Sequence, residues 1–64
     1  MGRIRRGGYF FVTWAGDHTP RHVHVYRDNV PVLKWNLETW ERIAGQSNRQ
    51  ILQLLSELRE EGLL

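Results

Sequence analysis

The spacing of the apolar residues changes once along this chain, and that change constrains the fold more than any other feature. From residue 33 to residue 38 apolar and polar side chains alternate, and a period of two is typical of a half-buried β-strand. After residue 50 the apolar side chains recur at i, i+3, i+4 and i+7, which is typical of an amphipathic helix. The alternating apolar residues are Leu33, Trp35 and Leu37, and the helical ones are Ile51, Leu54, Leu55 and Leu58. We therefore predict an α+β fold, a small antiparallel sheet of three or four strands with one C-terminal amphipathic helix packed on one face.

The turn-forming residues divide the chain into three parts of a single domain. We expect a basic N-terminal arm over residues 1–7, antiparallel strands over residues 8–44 and a helix over residues 47–61. Asp28-Asn29 is a good two-residue reversal between strands, because both side chains can bond nearby backbone groups and Asn tolerates positive φ. Residues 39–44 fit either a short fourth strand or a helical turn, and we favour the strand.

The helix has recognisable ends, and it can cover only one face of the sheet. Ser47 with Gln50 three residues later predicts a capping box at the start, and Gly62 is placed to stop the helix. The face predicted to lie under the helix consists of Phe10, Val12, Trp14, Val23, Val25, Leu33, Trp35 and Leu37. The residues predicted to face away from it are Tyr9, Phe11, Thr13, His22, His24, Tyr26 and Lys34.

Composition excludes several classes of protein. The 64 residues include no cysteine, which excludes disulfides and thiolate metal sites. No apolar run approaches the roughly 18 residues of a membrane helix, and the first residues lack the apolar middle of a signal peptide, so we expect a cytoplasmic protein. Nine Lys and Arg residues exceed seven Asp and Glu residues, and the excess lies within residues 1–42. That basic part could meet the phosphates of RNA or DNA, although arginines near the N-terminus also simply favour solubility.

All three histidines lie within one short stretch, and their spacing is compatible with a metal site. His22 and His24 stand at i and i+2 of a predicted strand, where Cα atoms are about 6.6 Å apart. Both rings could then reach one ion, with His18 or Asp17 as the third ligand. A single His-x-His arises easily by chance, so this set of His18, His22 and His24 is a minority hypothesis, and we expect no cofactor.

Acid–base chemistry on RNA is a second use of the same histidines. Cleavage of an RNA strand needs one group to accept the 2′-hydroxyl proton and another to protonate the leaving oxygen, and histidine can do either near neutral pH. His22 and His24 could divide these roles, assisted by His18. The residues expected to bind phosphate are Arg21, Arg27 and Lys34, and those expected to stack an unpaired base are Tyr26, Tyr9 and Phe11.

A purely structural interpretation has about equal standing. His22 and His24 would then be half-buried polar residues in a sheet whose outer face packs on a second chain. A cluster of histidines repels itself when protonated, which makes it a poor choice as filler. An aromatic face left bare in so small a domain predicts in either case a homo-oligomer or a cognate protein partner.

The order of these residues resembles a known bacterial family. Gly7-Gly8-Tyr9-Phe10-Phe11, followed by Asp17-His18-Thr19-Pro20-Arg21-His22-Val23-His24-Val25 and an amphipathic helix, is similar to the domain-of-unknown-function family 4160 (DUF4160). That family is marked by an Asn/Asp-His-x-Pro-Pro-His-x-His-Val motif. This sequence departs from the motif at Arg21, where the family usually has a second proline.

The resemblance implies a biological setting but no established activity. Members of the family are small, prokaryotic and often encoded beside a second small domain, family 2442, in an arrangement similar to toxin and antitoxin pairs. It therefore favours a toxin-like component, with a metal-independent ribonuclease mechanism and a cognate antitoxin-like partner. A non-catalytic module that binds nucleic acid or protein, and a histidine-rich metal-binding domain, are the alternatives.

Overall fold

The computed structural model describes residues 2–13 and 21–64, which form one antiparallel sheet and one helix. The strands are β1 (Gly2–Arg6), β2 (Tyr9–Thr13), β3 (His22–Arg27), β4 (Val30–Asn36) and β5 (Glu41–Gly45), and the helix is α1 (Arg49–Glu60). The spatial order of the strands is β1-β2-β3-β4-β5, so each strand pairs with its neighbours in sequence. The α+β class and the C-terminal helix are confirmed, but the sheet has five strands and not three or four.

The additional strand is β1, in the region predicted to be a basic arm. Arg3 lies opposite Val12 and Ile4 lies opposite Phe11, and the antiparallel pairing extends over all of β1 and β2. The connection is the two-residue turn Gly7-Gly8, in which both residues have positive φ, 61° and 83°. Two adjacent residues of positive φ are what the favoured hairpin turn requires.

The predicted reversal at Asp28-Asn29 is confirmed, and residues 41–45 form the strand that we favoured over a helical turn. Asp28 and Asn29 have φ of 52° and 65° and join β3 to β4. The turn before β5 is organised by Asn36, whose Oδ1 accepts hydrogen bonds from the backbone N–H groups of Glu38 and Thr39, at 2.8 and 3.0 Å. These side-chain bonds replace backbone partners that a reversing chain loses.

The helix begins at a different residue from the one predicted. The N-cap is Asn48 and not Ser47: Asn48 has extended backbone, and its Oδ1 accepts a hydrogen bond from the Ile51 N–H at 2.8 Å. Asn and Ser cap helices equally well, so residue type alone could not choose between neighbours. Gly62 ends the helix as predicted, with φ of 78° and its N–H donating to the Arg59 carbonyl.

The hydrophobic core lies between the sheet and the helix. Its buried members are Tyr9, Phe11, Val23, Val25, Leu33, Trp35, Ile51, Leu55 and Leu58. Leu37 and Leu54 are partly buried against it. The helical stripe and the inward faces of β3 and β4 therefore agree with the prediction.

The predicted orientation of β2 is wrong by one residue. Tyr9 and Phe11 are buried in the core, at 3% and 0% exposure, whereas Phe10 and Val12 lie opposite Tyr26 and His24 on the other side of the sheet. Every residue from 9 to 12 is apolar or aromatic, so alternation could not distinguish the two faces of this strand. Trp14, which we placed on the covered face, lies outside the described residues.

No helix in the described part of the chain has the length and apolar character needed to span a bilayer.

Candidate nucleic-acid interface

The side of the sheet away from α1, which we call the open face, carries mostly aromatic rings and cationic or polar side chains. Alternation with the buried residues and the strand register assign its members. They are Arg3, Arg5, Phe10, Val12, His22, His24, Tyr26, Lys34, Asn36 and Ala44. The prediction that His22, His24, Tyr26 and Lys34 face away from the helix is confirmed.

Three aromatic rings form a line along β3. The His22 and His24 rings lie edge to face with centroids 4.9 Å apart and an interplanar angle of 69°. The Tyr26 ring stacks on His24 at 6.3 Å and 21°. The intervening Val23 and Val25 are fully buried, and because neighbouring side chains on a strand point to opposite faces, their burial fixes all three rings on the open face.

The register places His24 in a row that crosses all five strands. Arg3 pairs with Val12, Val12 with His24, His24 with Lys34, and Lys34 with Ala44. Directly opposite residues of antiparallel strands have adjacent side chains on one face. Lys34 is therefore the immediate cross-strand neighbour of His24, and Arg3 lies about 10 Å from His24 on the other side, by two strand spacings.

Arginines of β1 hold the ring of Phe10 on the open face. The Arg3 guanidinium carbon is 4.3 Å from the Phe10 ring centroid, and that of Arg5 is 5.7 Å from it. Cation–π contacts of this kind contribute about 0.5–1 kcal/mol each at exposed sites. Sequence reasoning missed Arg3, Arg5 and Phe10 as site residues, although Gly7-Gly8 between two runs with strand-like residues is itself a hairpin signal.

The remaining predicted site residues are distributed differently. Arg21 is exposed and directly precedes β3, and its backbone N–H donates to Glu38 Oε2 at 2.7 Å. Arg27 lies over the Tyr9 ring at 5.6 Å, on the covered side of the sheet, so the structure does not bring it together with His22 and His24. His18 and Asp17 lie outside the described residues.

Two shallow grooves flank the line of rings. One has a volume of about 220 Å³ and is lined by Arg3, Phe10, Tyr26 and Asn29. The other has a volume of about 250 Å³ and is lined by His24, Lys34 and apolar parts of β4 and β5. The open face thus offers two concave places for a flat ligand, one on each side of β3.

The cationic side chains of the two faces differ in whether they pair with a carboxylate. On the covered side, Arg6 donates to both carboxylate oxygens of Glu61 at 2.5 and 2.8 Å. This hydrogen bonding raises the pKa of the Arg6 guanidinium and lowers the pKa of the Glu61 carboxyl. Within residues 2–13 and 21–64, Arg3, Arg5 and Lys34 form no ion pair with a carboxylate. Their positive charge is therefore not neutralised by a carboxylate of the described residues, and it contributes a positive potential to the open face.

Metal ligands do not cluster in the described part of the chain. Among those residues no three His, Asp or Glu side chains are grouped so as to hold one ion. The set predicted as a minority hypothesis includes His18, which lies outside them. Of the residues named in the acid–base hypothesis, the structure places His22, His24, Tyr26 and Lys34 on the open face. Arg27 lies on the covered side, and His18 lies outside the described residues.

Comparison with known proteins identifies a family and no activity. The family described as Domain of unknown function (DUF4160) matches residues 8–62, which includes β2 to β5 and the helix. No curated protein and no solved structure matches the chain significantly. The chain therefore belongs to the DUF4160 family.

Proposed function

For this member of the DUF4160 family, we propose a role as the toxin-like component of a prokaryotic toxin–antitoxin type module, acting in the cytoplasm on single-stranded RNA. The open face binds the RNA, and His22 and His24 cleave it without a metal. The observation that supports this most directly is the line of three rings on β3, with Lys34 beside its middle member.

Binding follows from the combination of rings and cations. Unpaired bases stack on aromatic side chains largely irrespective of sequence, and Tyr26 and Phe10 present rings on the open face. Arg3, Arg5 and Lys34 neutralise phosphates along the strand. A duplex buries its bases in its own stack, so the open face favours a single strand.

Cleavage follows from the histidine pair. One imidazole accepts the proton of the 2′-hydroxyl, and the 2′-oxygen then bonds to phosphorus. The bond from phosphorus to the 5′-oxygen breaks, and the other imidazole donates a proton to that oxygen. The products are a 2′,3′-cyclic phosphate and a free 5′-hydroxyl, and Lys34 stabilises the charge that develops on the phosphoryl oxygens.

A partner protein fits the same surface. An antitoxin-like protein that covers the open face would block the histidines and bury rings that are otherwise half exposed. In its absence a second copy of the chain could cover part of that face, and we expect a homo-oligomer at high concentration. Light scattering that shows a monomer at all concentrations would contradict this expectation.

The decisive experiment separates binding from cleavage. A fluorescent 12-nucleotide RNA is incubated with the protein in EDTA, and a 2′-O-methyl RNA of the same sequence serves as a ligand that cannot be cleaved. We expect the RNA to be cut to cyclic phosphate ends and the methylated strand to bind intact, with affinity that falls steeply as salt rises.

Alanine variants test whether the two histidines act in cleavage or in binding. His22→Ala and His24→Ala should each reduce the cleavage rate by about 100-fold or more while binding to the methylated strand changes little. Ser47→Ala, at an exposed position between β5 and α1, is the control. Binding without cleavage in the parent protein would indicate a non-catalytic nucleic-acid module, and the absence of binding would favour a protein-binding module. Cleavage that EDTA abolishes and zinc restores would support the metal hypothesis instead.

A further inference from the structure

The two grooves of the open face lie on opposite sides of the line of rings on β3. The first is lined by residues of β1, β2, β3 and the β3–β4 turn, and the second by residues of β3, β4 and β5. Their volumes, about 220 and about 250 Å³, are below the roughly 300–1,000 Å³ of pockets that hold drug-sized ligands. Each groove is therefore suited to a smaller planar fragment, such as one nucleobase.

The first groove has aromatic walls. Phe10 and Tyr26 lie directly opposite each other on β2 and β3, so their side chains are neighbours across the strands. The Arg3 guanidinium is held over the Phe10 ring at 4.3 Å. Stacking on such rings does not distinguish the four bases, because every base has a π-face. The first groove is therefore a stacking site for any base.

The second groove combines an imidazole with apolar surface. Its lining includes His24, Pro31, Val32 and Ala44, together with Lys34. Apolar surface with a small number of polar groups is typical of sites for flat ligands. Lys34 is the cross-strand neighbour of His24, so a base in this groove would have its phosphate beside a cation.

The separation of the two grooves determines how one strand can occupy both. Their linings place them over β2 and over β4, which are two strand spacings or about 10 Å apart. Successive nucleotides of a B-form stack rise only about 3.4 Å. Two neighbouring bases can therefore fill the two grooves only when they are unstacked and turned apart. The phosphate between them then crosses β3, where His24 lies.

Unstacking at this step also favours the reaction. The 2′-oxygen must approach phosphorus from the side opposite the leaving 5′-oxygen, and a regular stacked backbone holds the 2′-oxygen away from that line. Binding the two flanking bases on opposite sides of β3 releases the backbone from this arrangement. The protein would thus use base binding to bring the reacting atoms into line.

We infer that the two grooves hold the two bases that flank the cleaved phosphate, one base in each groove. The inference deepens the proposed function and rests on it. It defines the substrate as an unstacked dinucleotide step of any sequence within a flexible single strand. The bases further along the strand lie outside both grooves and contribute little.

The test uses a 2′-O-methyl strand with a single unmodified ribonucleotide, so that only one phosphate can be cleaved. The base is removed from the ribonucleotide, from the nucleotide that follows it, or from a nucleotide further along the strand. Removal of either flanking base should lower kcat/KM about 10-fold, as expected for the loss of one stacked base. Removal of the distant base should change kcat/KM by less than about 2-fold.

Two substitutions assign the bases to the grooves. Tyr26→Leu removes a ring of the first groove, and Ala44→Leu fills the second groove from an exposed position opposite Lys34. Each variant should cleave the intact strand about 10-fold more slowly than the parent protein. Each should also become insensitive to the removal of one flanking base, a different one for each variant, because the contact is already lost. Ser56→Leu, at an exposed position of α1, is the matched control and should cleave all strands as the parent protein does.

The two proposals fail in distinguishable ways. Equal cleavage of all the strands by the parent protein would overturn the assignment of the grooves and leave the ribonuclease proposal standing. Variants that stay sensitive to both flanking bases, or that both become insensitive to the same one, would also overturn it. The comparison of strands in the parent protein needs no substitution, so it decides the inference even when a variant fails to fold. Failure of the parent protein to cleave the intact strand would overturn the proposed function together with this inference.

Discussion

The two faces of the sheet are built by the same strands, yet they differ in what their residues do for the fold. On the covered face, Phe11, Val23 and Val25 are fully buried against the helix. On the open face, Phe10, His24 and Tyr26 are half buried, and the described contacts of Phe10 and Tyr26 include the neighbouring Arg3 and His24 side chains. Burial under the helix accounts for the first set through the hydrophobic effect. It does not account for the rings and cations on the second, and this difference is why we propose that the open face binds the ligand.

The largest expected difference in stability comes from truncating neighbouring phenylalanines that lie on opposite faces of the sheet. Phe11→Ala removes a fully buried ring and should reduce the free energy of unfolding by about 3–5 kcal/mol. Phe10→Ala, one residue away, loses chiefly its contacts with Arg3 and Arg5 and should cost about 1 kcal/mol. Urea denaturation followed by tryptophan fluorescence gives both values.

Substitutions of Phe10 and Phe11 also test which face of the sheet binds RNA. Phe10→Ala should weaken RNA binding, because base stacking on an aromatic ring contributes about 1–3 kcal/mol. Because Phe11→Ala could unfold so small a domain, the binding assay uses Phe11→Leu. This substitution should lower the free energy of unfolding by only about 1 kcal/mol. A folded Phe11→Leu variant should bind RNA normally. Similar losses of stability for Phe10→Ala and Phe11→Ala would show that the assignment of faces is wrong.

A smaller effect is expected at the start of the helix that covers the core. Asn48 accepts a hydrogen bond from the Ile51 N–H at 2.8 Å, and its Nδ2 lies 3.4 Å from the Tyr9 hydroxyl. Asn48→Ala should lower the free energy of unfolding by about 1 kcal/mol. Ser47→Ala should leave it nearly unchanged, and a larger loss for Ser47→Ala than for Asn48→Ala would restore Ser47 as the cap. Thermal unfolding of both variants is sufficient.

The smallest expected effect concerns the ion pair that joins β1 to the end of the helix. Hydrogen bonding to Arg6 lowers the pKa of Glu61, so the pair stabilises the fold above the ordinary carboxyl pKa of about 4.3 and loses that contribution as pH falls through the lowered pKa. Glu61→Gln should therefore have a slightly lower urea midpoint than the parent at pH 7, and the difference should diminish as the pH is lowered through the acid range. Glu60→Gln, at the adjacent exposed position, is the control. A difference in urea midpoint that stays constant as the pH is lowered would mean that packing, and not the charge, is responsible.

The sequence correctly predicted the elements in which the spacing of apolar residues fits only one assignment of the buried face. In β4, Leu33 and Trp35 alternate with Lys34, and in α1 the spacing of Ile51, Leu55 and Leu58 is helical, so both faces were assigned correctly. In β3, the alternation of valine with histidine put His22 and His24 together on the open face. These parts of the fold and of the site follow from local pattern alone.

The parts that could not be predicted depend on pairing between strands. Every residue of β2 from Tyr9 to Val12 is apolar or aromatic, so only contact with its neighbours selects the buried set. The arginines of β1 resemble a solubilising tail until their pairing with β2 brings Arg3 over Phe10. Arg27 was grouped with the phosphate-binding residues by charge, and its position at the end of β3 places it over Tyr9 instead.

The order in which the strands are arranged has a consequence for how the chain acquires its structure. In the described sheet every strand pairs only with the strands before and after it in sequence, so the sheet can grow by adding one strand at a time to its neighbour in the chain. The helix is synthesised after all five strands, and until it docks, the apolar face of the sheet meets water. A nascent chain interrupted before Ile51 would therefore expose the apolar face of the sheet to solvent. Such a chain should be prone to aggregation, and it should depend on a chaperone or be degraded.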